Sequence, residues 1–106
     1  MKLDCNNKIS ELFKQAEQYL IEEEYIKALF CYNSVFQLEE TNHEAYFGMY
    51  ITWWTYCKSI DKWSELIEDL FNNAIRNAPI EVQKKYYTIR NENSTIFYKG
   101  DKSDEQ

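Results

Sequence analysis

Apolar residues return along the chain at steps of three and four, the spacing that puts them on one face of a helix. Ile9, Leu12, Phe13, Ala16, Tyr19 and Leu20 form the first such stripe and predict a helix over about Ile9–Ile21. Glu22, Glu23 and Glu24 then break the pattern. Carboxylates are unfavourable at a helix C-terminus and favourable at an N-terminus, so the turn belongs inside this acidic run, with Glu23 and Glu24 leading into the next helix. Tyr25, Ala28, Leu29, Tyr32, Val35 and Phe36 mark a second helix over about Tyr25–Glu39. Phe30, Cys31 and Leu38 widen its apolar surface and predict contacts on more than one side.

Thr41 or Asn42 supplies an oxygen suited to capping a third helix, about His43–Lys58. From Ala45 to Cys57 this helix carries no charge, and a helix apolar all round is normally buried all round. It is expected at the centre of the fold. Gly48 weakens it, which predicts the close approach of a neighbouring backbone. Trp63, Leu66, Ile67, Leu70, Phe71, Ala74, Ile75 and Ala78 form the stripe of a fourth helix, about Asp61–Asn77. Pro79 ends it or opens the next. Val82, Tyr86, Tyr87 and Ile89 are the expected contacts of a fifth helix, about Ile80–Asn91, with Ile96, Phe97 and Tyr98 able to dock after it. One domain over 1–98 and a polar, disordered tail over 99–106 complete the expectation.

Composition narrows the class. Two glycines and one proline in 106 residues are too few turn formers for a sandwich or barrel, so the fold is read as all-α. Eighteen acidic against twelve basic residues give a net charge of −6, which disfavours nucleic acid and anionic membranes as partners. Cys5, Cys31 and Cys57 are scattered and His43 is the single histidine, so no metal or other cofactor is expected. Cys31 and Cys57 read as small core residues in a reducing compartment. Met1 to Ser10 carry no apolar leader-like run, and no apolar stretch approaches the ~20 residues of a membrane span. A cytoplasmic location follows as the expectation.

Helical hairpins joined by short polar turns direct attention to internal repeats. Leu12, Ala16, Tyr19, Ala28, Tyr32 and Val35 fall at the spacing of a tetratricopeptide repeat, with Glu40 where proline is usual. Tyr46 and Trp53 follow Leu12 and Tyr19 by one ~34-residue period, although Tyr50 replaces the small Ala16. Ile67, Phe71, Ala74 and Pro79 repeat the later part of the motif, but Ile67 lies 39 residues after Ala28, so the second unit is stretched around Lys58–Lys62. Over about Leu12–Pro79 the chain therefore resembles the tetratricopeptide-repeat family.

That resemblance implies antiparallel hairpins in a right-handed superhelix of about five helices, the last one a cap. It also implies a concave groove that grips a partner peptide or helix. The first helices of each hairpin would supply Phe13, Lys14, Glu17, Phe47, Ile51 and Trp54 to it. The chaperone-binding subclass of the family clamps a terminal carboxylate with Lys, Asn and Arg. Phe13, Glu17, Phe47 and Ile51 stand at those sites here, so an apolar or amphipathic ligand is expected instead.

Tyr50, Trp53, Trp54 and Tyr56 read first as core and second as an aromatic platform. Both hold if Trp53 lies inside and Phe47 or Trp54 lies at an interface. Self-association into a homodimer would be one way to cover such a face. The acidic runs Glu22–Glu24 and Glu39–Glu40 read as solvated helix ends, and His43 as a turn residue rather than a base or ligand. No catalytic constellation is legible, and an enzyme is not expected. The reading is a non-enzymatic protein-binding scaffold; the alternative is a small acidic inhibitor that occupies the basic cleft of a nucleic-acid-binding target.

Overall fold

The computed structural model describes the backbone of residues 2–105 and the side chains of residues 6–92. The described backbone forms five helices and no strands: α1 (Lys2–Ile21), α2 (Tyr25–Leu38), α3 (His43–Ser59), α4 (Glu65–Asn77) and α5 (Ile80–Glu105). The fold is all-α. Each helix packs on its successor, α1 on α2, α2 on α3, α3 on α4 and α4 on α5. The radius of gyration is 14.6 Å, more extended than the ~13 Å of a rounded domain this long.

The turns follow local chemistry. After α1 the chain enters the left-handed region at Glu23 (φ 61°), and Glu24 N–H donates back to the Tyr19 carbonyl at 2.8 Å. After α3 the same device recurs at Asp61 (φ 56°), where Lys62 N–H donates to the Cys57 carbonyl at 2.9 Å. Both are helix-ending motifs in which glycine is the usual left-handed residue. Of the two capping candidates before α3, Asn42 serves: its Oδ1 accepts from Ala45 N–H at 2.8 Å. Helix α4 begins at Glu65 rather than near Asp61, because Asp61 belongs to the ending of α3 and Ser64 Oγ caps α4 through Leu66 N–H. The connection between α3 and α4, residues 60–64, is two residues longer than the 22–24 turn between α1 and α2, and α3 runs 13 residues past Tyr46 where α1 runs nine past Leu12. Gln83 Nε2 donates to the carbonyls of Ile75 and Ala78, tying the end of α4 to the start of α5 across Pro79.

Two apolar clusters share α3. Ile9, Ala16, Ala28, Cys31, Tyr32, Val35 and Ala45 form the first. Tyr50, Trp54, Cys57, Ile67, Leu70, Phe71, Ala74, Ala78 and Tyr86 form the second, and Met49 packs against both. Ala16 and Ala28 are completely buried, which lets α1 and α2 approach closely. Of the other motif positions, Ile67, Phe71 and Ala74 are core. Leu12, Tyr19, Tyr46 and Trp53 are half-buried at its margin, and Pro79 is exposed.

Several expectations are corrected. The uncharged helix α3 is not enclosed on every side: Tyr56 is exposed, and Phe47, Ile51 and Trp53 are half-buried. The two tryptophans exchange roles, with Trp54 8% exposed inside the second cluster and Trp53 at its edge. Phe30 does not widen the packed face of α2, being 68% exposed, and Leu38 is also exposed. The neighbour crowding Gly48 is the ring of Tyr32, not a backbone. The backbone of α5 runs from Ile80 to Glu105, beyond the Asn91 expected as its end. Docking by Ile96, Phe97 and Tyr98, and the setting of the Cys5 thiol, lie outside the described side chains.

Candidate functional site

Helix geometry gathers the site from elements far apart in sequence. On α1, Phe13, Glu17 and Leu20 share one face by their spacing of four and three. On α3, Glu44, Phe47, Gly48 and Ile51 do the same. These two faces line a concavity of about 400 Å³, with Tyr32 of α2 between them and Tyr86 of α5 completing the wall. That volume accommodates bulky side chains of a docked segment and falls within the usual range of ligand clefts.

Close approach shapes the floor. A Cβ at Gly48 would collide with Cε1 and Cζ of the Tyr32 ring and lie 2.9 Å from its Cδ1, so the absence of a side chain admits the ring. Tyr32 in turn lies 6.0 Å from Phe13, ring centre to ring centre. Thr52 Oγ1 donates to the Gly48 carbonyl at 2.8 Å, giving that fully buried hydroxyl a partner within its own helix.

The far wall is fixed by aromatic packing. Phe47 and Tyr86 stack with ring centres 3.9 Å apart and planes 9° from parallel. The Tyr86 hydroxyl lies 2.8 Å from His43 Nδ1, so His43 anchors α5 to the first turn of α3. One turn further along α5, Arg90 Nη2 donates to both carboxylate oxygens of Glu68, at 2.7 and 2.8 Å, and its guanidinium lies 4.5 Å from the centre of the Phe71 ring. Tyr87 meets the same ring edge-on at 5.3 Å.

The two groove tyrosines share one electrostatic setting. Burial pushes the Tyr32 phenol up to about 12, with the Glu17 carboxylate and then Cys31 adding to it. Burial likewise pushes Tyr86 up to about 12, with Glu44 adding to it. Both phenols are neutral at physiological pH. Burial also raises the thiols of Cys31 and Cys57, both free and buried, which leaves them poor nucleophiles.

Four of the six residues proposed from sequence to line a groove therefore meet in one concavity: Phe13, Glu17, Phe47 and Ile51. Two do not. Lys14 is exposed and turned about 100° around α1 from Phe13. Trp54 is packed into the second cluster, where the Lys58 ammonium lies 4.9 Å from its ring. Leu20, Glu44 and Tyr86 were not among the sequence candidates, and Tyr32 was assigned to packing alone. Glu44 was legible, because it precedes Phe47 by three and Ile51 by seven residues on one helix. Tyr86 carries no such signal, since its place depends on how α5 packs back against α3 and α4.

A second, smaller recess of about 160 Å³ lies between α2 and α3, lined by Tyr25, Ile26, Leu29, Thr52, Trp53 and Tyr56. No helix of the described residues is long and apolar enough to cross a membrane. Comparison with known proteins finds no matching family model, no matching curated protein and no matching solved structure.

Proposed function

We propose that this chain is a non-enzymatic, cytoplasmic scaffold of the tetratricopeptide type, whose groove between α1, α3 and α5 holds a segment of a partner protein. The observation that supports this most is the convergence of Phe13, Glu17, Phe47 and Ile51 with Tyr32 and Tyr86 in one concavity, across four helices. A core residue is normally shielded by its neighbours, whereas Phe13, Phe47 and Ile51 keep part of their surface open to that space. Affinity would come from covering these side chains, and specificity from the polar groups beside them. The buried thiols are in keeping with a reducing compartment.

Selection of a random peptide library against the protein, counter-screened with Ile51→Glu, tests this. The substitution places a charge on a half-buried residue of α3 that lines the concavity and also packs against the second cluster, so the fold of the variant is checked alongside. Selected peptides are expected to lose at least about tenfold in affinity for Ile51→Glu while the variant keeps its helical circular dichroism. Peptides that bind wild type and variant equally would contradict the proposal.

A further inference from the structure

The charge around the groove is one-sided. Among the residues that line it, Glu17 and Glu44 carry charge and both are anionic; the remainder are apolar, aromatic or glycine. Glu17 stands on the α1 wall and Glu44 on the α3 wall, so a carboxylate rises on each side of the aromatic floor. Both are exposed, and neither takes part in the described ion pairs, Lys27–Glu24 and Arg90–Glu68. Lys14, the nearest cation along α1, is not part of the lining. Both carboxylates also bear on groove tyrosines, adding to the effect of burial on Tyr32 and Tyr86.

This pattern discriminates between occupants. A segment presenting carboxylates or phosphates would meet two like charges and no cation. A wholly apolar segment would cover Phe13, Phe47 and Ile51 but strip water from two carboxylates without replacing it. A segment combining cationic and bulky apolar side chains meets both demands. Its apolar groups fill the floor, the methylene stems of Arg or Lys cover the aromatic rims, and their charged heads reach the carboxylates. The net charge of −6 steers the same partner inward from a distance.

We propose that the occupant of the groove is a polypeptide segment in which arginine or lysine is flanked by bulky apolar residues, with Glu17 and Glu44 receiving the cationic groups. This rests on the groove being the binding site.

Three synthetic peptides of identical length test it, each built from leucine and one polar residue: arginine, glutamine or glutamate. Binding is followed by fluorescence anisotropy, and the site is mapped by amide chemical shifts of the labelled protein. The arginine peptide is expected to bind tightest and to shift the amides of Phe13, Glu17, Phe47 and Ile51. The double variant Glu17→Gln/Glu44→Gln should weaken it about fivefold or more, as two partly exposed charge pairs give. Asp69→Asn/Glu92→Gln, which removes the same charge from exposed sites outside the lining, should leave affinity within about twofold at physiological salt. Equal losses in the two double variants, or equal binding of arginine and glutamate peptides at the groove, would overturn the cationic preference and leave the groove standing. If none of the three peptides shifts groove amides, both proposals fail.

Discussion

Phe47 and Tyr86 lie 39 residues apart in sequence, yet their rings stack 3.9 Å apart and nearly parallel. This contact sets one wall of the groove and ties α5 to α3, while His43 holds the Tyr86 hydroxyl. Removing the hydroxyl and removing the ring should therefore differ. Tyr86→Phe is expected to lose about 1 kcal/mol, the net worth of one hydrogen bond. Tyr86→Ala is expected to lose about 3 kcal/mol or more, as for other buried aromatics cut to alanine. Urea denaturation followed by near-ultraviolet circular dichroism measures both.

Gly48 offers a test by change of sign. In an ordinary helix Gly→Ala stabilises by about 1 kcal/mol. Here the added methyl meets the Tyr32 ring, which is itself buried, so Gly48→Ala should destabilise by about 1–2 kcal/mol. Once the ring is removed by Tyr32→Ala, the same change should become stabilising. A double-mutant cycle on thermal or urea unfolding reads that reversal.

The left-handed residues Glu23 and Asp61 should respond in the opposite direction. Replacing either with glycine relieves the steric cost of a side chain at positive φ, with an expected gain of about 0.5–1 kcal/mol. The gain should be larger for Glu23, because aspartate tolerates this conformation better than glutamate. Unfolding midpoints of the two single variants test the order.

Alkali should destabilise the protein through its two buried phenols. Tyr32 and Tyr86 both have folded-state values near 12 against an ordinary value of 10. A raised folded value means that the native state holds its proton where the unfolded chain releases it. The stability these phenols contribute is therefore whole below about pH 10 and declines as pH rises from 10 through 12. The double variant Tyr32→Phe/Tyr86→Phe should show a flatter profile across that window, measured by urea unfolding at fixed pH values.

Much of this architecture is legible in the chain because its stripes have strong helical phase. The helical spacing of apolar positions in Glu65–Asn77 points Ile67, Leu70, Phe71 and Ala74 inward, while Trp63 and Leu66 of the same stripe are exposed. The segment from Ala45 to Cys57 lacks that information. Without charged residues no polar side marks which face is out, and so the roles of Trp53 and Trp54 exchange. Asp61 and Ser64 both resemble helix starts, and the Cys57 carbonyl decides between them by drawing Lys62 into the preceding helix end. The groove residues on α1 and α3 could be grouped by helical spacing, since each set lies on one helix. Tyr86 could not, because its position depends on how α5 packs back against α3 and α4, which the helical period does not encode.

The central claim is that the concavity between α1, α3 and α5 is where a partner segment sits. Intermolecular nuclear Overhauser contacts between a selected peptide and the labelled protein test it most directly. The account predicts contacts to the side chains of Phe13, Phe47, Ile51 and Tyr86. Contacts confined to the recess of Tyr25, Trp53 and Tyr56, or to the exposed Ile26 and Phe30, would contradict it.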